Sequence, residues 1–198
     1  MRLVLASTSP HRKALLERLG FPFEIVDPRL DETPFKRRGL RPEEFVVQLA
    51  EAKARAVLDA FPDSLVVGSD QCAEIDGRIL GKPGSFEAAV DQLASLAGRT
   101  HRLLTGTCVL DTKTRVVRTD LDVHRMTMRK LDRRQLEGYA MRDRPFDCAG
   151  AYRVESCGIA LFERIEGIDH SAIVGLPLMR LAMLLAEAGL DVLLPPSK

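Results

Sequence analysis

The sequence predicts a mixed α/β domain, a curved mixed sheet flanked by helices, and three observations carry that expectation. Short apolar runs rich in branched residues read as strands, and they alternate with stretches whose leucines and alanines recur at helical spacing. Polar turns such as Asp76-Gly77 and Asp111-Thr112-Lys113 join neighbouring apolar runs, as hairpins require. No internal repeat, low-complexity tract or compositional break marks a linker, so one domain is expected over residues 1–198.

The elements follow in order. Arg2 to Ala6 is an apolar run that reads as a buried strand, interrupted by Ser7-Thr8-Ser9. Ser9 suits an N-cap and Pro10 the first helical position, and Leu15, Leu16 and Leu19 then recur at helical spacing as far as Gly20. Phe21 to Val26 alternates weakly, as a second strand would, and the loop after it carries Asp31-Glu32-Thr33-Pro34. Lys36 to Arg41 is a basic, glycine-interrupted stretch expected to be exposed. Pro42-Glu43-Glu44 starts a helix with acidic residues where its dipole favours them, and Phe45, Leu49, Ala52 and Ala56 make its apolar stripe.

Ser64 to Gly68 reads as a central strand ending at Ser69-Asp70-Gln71, and Asp76-Gly77 as a hairpin leading to Gly81-Lys82-Pro83. Ser85 caps a helix from Phe86 to Ala97. His101 to Val117 is expected to form two strands around Asp111-Thr112-Lys113, with another strand from Asp120 to Met128. Asp132 caps a helix through Met141, Cys148 to Ile165 is expected to be strands, and Pro177 to Ala188 closes the chain as a helix before Gly189.

Composition narrows the function. With 45% hydrophobic and 29% charged residues among 198, the chain is an ordinary globule that buries roughly 70% of its unfolded surface and needs no staple. Lys and Arg total 29 against 28 Asp and Glu, which argues against coating nucleic acid or an anionic membrane by bulk charge. No apolar run approaches ~18 residues, so no membrane span is expected, and the apolar start is too short for a secretory signal. Cys72, Cys108, Cys148 and Cys157 have neither zinc nor disulfide spacing, which points to reduced thiols and a cytoplasmic protein.

Familiar catalytic signatures are missing: there is no Walker loop, no dinucleotide fingerprint, no nucleophile elbow and no H-E-x-x-H. What remains is a set of polar clusters at the ends of apolar segments. Ser7-Thr8-Ser9-Pro10-His11-Arg12-Lys13 places hydroxyls and two cations at a helix start, where unpaired N–H groups favour anions, although a capped helix with a solvated basic turn accounts for the same residues. Gly68-Ser69-Asp70-Gln71 follows an apolar strand, where a carboxylate can bind Mg²⁺ or orient a water, or merely begin a turn. Glu32, Lys53 at the border of its helical stripe and Lys82 in its tight turn are each, taken singly, ordinary surface charges. Glu155 stands three residues after Tyr152, an arrangement that can read a purine through its N–H donors while the ring stacks, or a strand-end carboxylate beside a core tyrosine.

In this order the clusters resemble the Maf family of nucleoside triphosphate pyrophosphatases. The matching pieces are L-A-S-T-S-P-H-R, D-E-T-P, L-A-E-A-K-A, V-V-G-S-D-Q, L-G-K-P, G-R-T-H-R-L-L-T-G and C-A-G-A-Y…I-A-L-F-E-R-I-E-G…V-G-L-P-L, spanning Leu3 to Leu178. The resemblance implies a fold like that of inosine triphosphate pyrophosphatases, with an elongated sheet, two lobes around a central cleft and a homodimer. It also implies hydrolysis of a nucleoside triphosphate to monophosphate and pyrophosphate with a divalent cation, Mg²⁺, Mn²⁺ or Co²⁺.

By the same resemblance Asp70, Lys53 and Lys82 are catalytic, Ser7, Ser9, Arg12 and Lys13 bind phosphate, and Glu32 joins Asp70 as a metal ligand. His11, Gln71 and Glu155 occupy the positions that sort substrates, and Gln and Glu at the latter two resemble the 7-methyl-GTP branch. His11 and Lys13 replace the usual arginines, and Lys13 keeps the charge without the planar fork. Chemistry agrees, because a carboxylate can accept both N1–H and the 2-amino group of a cationic 7-methylguanine, worth about 1.5–3 kcal/mol. The alternatives are a dTTP/UTP pyrophosphatase of the same family and a nucleotide-binding regulator of cell division. Nucleic-acid binding through K-R-R-G-L-R has one flanking aromatic, Phe35, and little else behind it.

Overall fold

The computed structural model describes Arg2–Leu194; Met1 and residues 195–198, the ends of the domain expected over 1–198, lie outside the described residues. The elements run β1 (Arg2–Ala6), α1 (Pro10–Glu17), β2 (Glu24–Val26), α2 (Thr33–Arg37), α3 (Pro42–Arg55), β3 (Ser64–Ile75), β4 (Arg78–Leu80), α4 (Phe86–Leu96), β5 (Thr100–Asp111), β6 (Val117–Met128), α5 (Arg133–Asp143), β7 (Phe162–Glu166), α6 (His170–Val174) and α7 (Leu178–Glu187). The strands pair in the order β2-β1-β3-β5-β6-β7, with β4 alongside β3. β1 is parallel to β2 and β3, while β4 and β7 are antiparallel to their neighbours. The mixed α/β sheet with helices against it is therefore as expected.

Two compact units divide the chain. The first comprises Met1–Asp70, Thr105–Asp122 and Asp169–Lys198, and the second Gln71–Leu104 and Val123–Ile168.

In the first unit both sheet faces are covered, and the pleat explains why its strands read as unbroken apolar runs. Leu3, Leu5, Leu65, Val67 and Val109 point one way, into a core shared with Leu15 and Leu16 of α1 and Leu181, Leu184 and Leu185 of α7. Val4, Ala6, Val66, Cys108 and Leu110 point the other way, toward Ala50 and Ala54 of α3. Each fully buried Leu or Val side chain contributes about 1.5–3 kcal/mol.

The second unit is built on hairpin pairing and two helices. Asp76 and Gly77 take φ of 52° and 78°, the left-handed pair that a two-residue hairpin turn needs. Ser85 Oγ accepts from Ala88 N at the start of α4, and Asp132 and Gln135 form a reciprocal capping box at the start of α5. α4 packs on α5, burying Val90, Leu93 and Leu96 of the one and Leu136 and Tyr139 of the other.

Several boundaries differ from expectation. The second strand is confined to Glu24–Val26, and part of the basic stretch forms the last turn of α2. The two strands expected before Met128 are one continuous strand, β6. Cys148 to Leu161 contains 3-10 turns at Ala149–Ala151 and Cys157–Leu161 in place of strand, because Gly150 and Ala151 at φ of 77° and 60° curl the backbone away from any ladder. β3 does not stop at Gly68 but runs twelve residues, so Asp70 lies within the strand and begins no turn.

Candidate active site

The site in the first unit begins where β1 ends. Ser7 is buried, and its Oγ accepts from Ser9 N at 3.2 Å, which turns the chain toward α1. Ser9 Oγ then accepts from Arg12 N at 3.4 Å as the helix N-cap, with Pro10 at the first helical position. Arg12 extends back from that first turn: Nε donates to the Gly175 carbonyl at 3.0 Å, and Nη1 lies 3.5 Å from Ser7 Oγ. The same carbonyl accepts from Ser69 Oγ at 2.9 Å.

A chain of alternating charge stands on the neighbouring elements. Lys53 Nζ of α3 is 2.5 Å from Asp70 Oδ1 of β3 and 3.0 Å from Glu32 Oε1 at the start of α2; Glu32 Oε2 lies 3.4 Å from Lys36 Nζ. The Lys53 and Asp70 side chains are each only 11% exposed, so this is not a surface ion pair. Burial pushes the Asp70 carboxyl above its ordinary range, against the pull of Lys53 and Arg12, while the nearby Glu32 pushes it further up. Burial works in the same sense on Glu32 but is outweighed by Lys53 and Lys36, which hold that carboxyl below its usual value. Desolvation lowers Arg12, and Asp70 and Glu32 oppose it.

Gly68 explains how two segments seventeen residues apart meet so closely. A Cβ at Gly68 would lie 2.0 Å from the Ala50 carbonyl oxygen, so α3 rests directly on the backbone of β3. Two residues further along the strand and three along the helix stand Asp70 and Lys53. Gly106 of β5 makes a similar approach, where a Cβ would lie 2.4 Å from the Val46 carbonyl oxygen.

Of the other five predicted residues, two belong to the first unit and three to the second. Lys13 is exposed and pairs with Glu17 across 3.7 Å, and His11 is partly buried on the first turn of α1. Gln71, Lys82 and Glu155 belong to the second unit. Lys82 is exposed in a loop fixed by Gln92 Nε2 donating to Gly81 O at 3.2 Å and Gly84 N to Phe146 O at 2.9 Å.

Glu155 is exposed, and its loop is fastened on both sides. Arg153 N donates to Tyr139 Oη at 2.9 Å and Arg153 Nη2 to Asp147 Oδ1 at 2.6 Å, while Ser156 Oγ lies 3.1 Å from Asp143 Oδ1. Tyr152 is no stacking platform for a base. It is 5% exposed, its hydroxyl is 2.8 Å from His101 Nε2, and its ring meets Phe162 edge-on, as an aromatic in a core does.

The structure thus brings together Ser7, Ser9, Arg12, Glu32, Lys53 and Asp70, and adds two residues that the sequence reading did not select, Ser69 and Gly175. Gly68 was legible in principle, since a glycine inside an apolar strand signals close backbone approach. Residues 2–188 match the family described as Maf-like protein.

The chain belongs to the Maf-like family. Its relatives agree along nearly their whole length. A 7-methyl-GTP pyrophosphatase of Nitrosococcus oceani is 46% identical over 191 residues, covering 96% of this chain and 95% of the relative. Proteins of the same name from Syntrophotalea carbinolica and Pseudomonas aeruginosa are each 41% identical, covering 96% of this chain and 96% and 98% of the relatives. A solved nucleoside-triphosphatase / dITP/XTP pyrophosphatase from Mycobacterium abscessus superposes with a TM-score of 0.41 at 17% identity over 66% of this chain and 76% of that one, too remote to inform the site.

Proposed function

We propose that the protein hydrolyses a nucleoside triphosphate, 7-methyl-GTP foremost, to the monophosphate and pyrophosphate. The observation that carries the reading is the Asp70–Lys53–Glu32 chain within electrostatic reach of Arg12, in a sequence aligned end to end with relatives named for that reaction. A site that merely held an anion gains nothing from a buried carboxylate, whereas water attack needs one. The raised Asp70 carboxyl accepts a proton from water as its oxygen bonds to the α-phosphorus. The bond from that phosphorus to the bridging oxygen breaks, and its electron pair leaves with pyrophosphate. Lys53, Lys82 and Arg12 offset the negative charge of the phosphates, and Ser7, Ser9 and Lys13 complete their grip.

A divalent cation, Mg²⁺, Mn²⁺ or Co²⁺, fits the donor set. Asp70 and Glu32 offer hard oxygen ligands and already converge on a positive charge, the Lys53 ammonium. Among the described residues no group of three or more His, Cys, Asp or Glu is placed to hold a metal, and nucleotide enzymes commonly share Mg²⁺ between one or two carboxylates and the phosphates. Bound there, the ion neutralises phosphate charge and acidifies water. Lys53 is thus available to the phosphates whenever another cation serves the carboxylates.

For the base, Glu155 supplies the acceptor for N1–H and the 2-amino group, and His11 and Gln71 sort substrates with it. A uracil has a single N3–H and leaves half of that carboxylate without a partner. We read the protein further as a cytoplasmic homodimer, one domain of two lobes, with no nucleic-acid or membrane partner. The near-zero net charge supports the reading on nucleic acid and membrane, and the four free cysteines the reading on location. No helix among the described residues is long and apolar enough to cross a membrane.

Pyrophosphate release from 7-methyl-GTP, GTP, UTP, dTTP and CTP, each with Mg²⁺, Mn²⁺ and Co²⁺, tests the proposal. Preference for 7-methyl-GTP over GTP is expected. Preference for UTP or dTTP keeps the reaction and discards the assignment of Glu155, and no release from any of them favours a nucleotide-binding regulator.

A further inference from the structure

Arg12 is held by a backbone group that the reaction itself does not require. The carbonyl oxygen of Gly175 has two lone pairs, one taken by Arg12 Nε at 3.0 Å and the other by Ser69 Oγ at 2.9 Å. Ser69 is fully buried and immediately precedes Asp70 on β3. Gly175 follows α6 with φ of 121°, a backbone conformation that side chains rarely adopt, and a Cβ there would still find ordinary space 3.5 Å from Arg12 Nε. Conformation, not room, therefore demands the glycine.

The turn that presents this carbonyl is over-determined. Buried Asp169 accepts from Ser171 N at 3.0 Å and from Met179 N at 2.7 Å, Ser171 Oγ accepts from Leu178 N at 2.7 Å, and Thr105 Oγ1 donates to Ala172 O at 3.0 Å. What they share is the fixed direction of one oxygen, which gives the Arg12 fork its pose, and Ser69 ties that oxygen to the strand bearing Asp70.

We propose that Ser69 and the Gly175 carbonyl are positioning groups that hold the Arg12 guanidinium in the pose in which it grips the triphosphate. This rests on the reading of Arg12 as a phosphate ligand. Arginine's planar fork makes such anchoring possible, because fixing Nε fixes the directions of the remaining N–H donors.

The test measures binding of inorganic tripolyphosphate by calorimetry, and KM and kcat for the preferred nucleotide, in Ser69→Ala, Arg12→Ala and the double variant. Ser69→Ala is expected to weaken tripolyphosphate and raise KM by about threefold to tenfold, with kcat changed less than about twofold. In the Arg12→Ala background the same change should add nothing, and Gly175→Ala should reproduce the signature of Ser69→Ala. Undiminished loss in the Arg12→Ala background overturns the inference, as does a loss confined to kcat.

Arg12→Lys tests the same point without altering Ser69 or Gly175. It keeps the charge but cannot be anchored through Nε, so it should bind tripolyphosphate nearly as weakly as Arg12→Ala; wild-type affinity in this variant overturns the proposal. So does wild-type protein that binds no tripolyphosphate. Intact coupling without turnover of any nucleotide removes the proposed function and leaves the anchoring, whereas turnover with additive effects does the reverse.

Discussion

Lys53 Nζ lies 2.5 Å from Asp70 Oδ1, and the close approach of α3 to β3 at Gly68 makes that pair possible. A carboxylate in this setting is neither solvated nor free. It is desolvated enough to be a better base than an exposed Asp, and charge-balanced enough to stay inside the protein.

Asp70→Asn keeps the shape of the side chain and removes its basicity. Pyrophosphate release should fall by about 10²–10⁴-fold in kcat, with tripolyphosphate affinity retained. Near-normal turnover in steady-state assays removes Asp70 from the chemistry.

The direction of the Asp70 shift is testable in the metal-free protein. Burial should make its carboxyl protonate above the ordinary carboxylate range in an NMR titration. Lys53→Met removes the main charge opposing that shift, so the carboxyl should protonate higher still. A value that moves down, or not at all, contradicts the electrostatic assignment.

Gly68→Ala places a methyl where the Ala50 carbonyl sits and forces α3 away from β3. Urea unfolding should show a loss of about 1–3 kcal/mol, and activity should fall because Lys53 moves with the helix. A fully stable, fully active variant would falsify the packing account.

Glu155→Gln exchanges a charged pair of acceptor oxygens for an amide with one acceptor oxygen and a donating NH2. Discrimination for 7-methyl-GTP over UTP should drop by about tenfold or more, read as the ratio of kcat/KM values, with little effect on tripolyphosphate binding. An unchanged ratio assigns base selection to another residue.

His101 gives a pH dependence of stability, separate from activity. Burial lowers it from 6.5 to about 4, with Glu74 opposing, so the folded protein holds the ring neutral where the unfolded chain protonates it. Stability is complete above 6.5 and declines as pH falls toward 4, by about 3 kcal/mol in all. His101→Gln should flatten that slope in urea titrations across the same interval.

How far the sequence foretold this molecule varies with the range of the interaction. Strands buried on both faces, caps at Ser9, Ser85 and Asp132, and the hairpin at Asp76-Gly77 depend on neighbouring residues, and all are found. Lys53 at the edge of its apolar stripe was ambiguous by periodicity, and a partner seventeen residues away decides it. Residues 148–161 misled because their small and apolar side chains suit strands, while positive φ at Gly150 and Ala151 forbids one. Tyr152 looked like a base platform only until its hydroxyl was seen to face His101. Ser69 and Gly175 gave no local sign of their contact, which spans 106 residues of chain.

The Arg12–Gly175 hydrogen bond also has a bearing on how the protein is made. Its partners are separated by 163 positions, so a growing chain displays the turn that carries Arg12 long before the carbonyl that orients it exists. At ~5–20 residues per second of synthesis, that interval is about 8–30 s, during which the first helix waits without its anchor. A ribosome-bound or truncated product ending before residue 175 would carry Asp70, Lys53 and Arg12 and still have no orienting carbonyl for the guanidinium. Completion of the chain thus doubles as the last step in assembling the site.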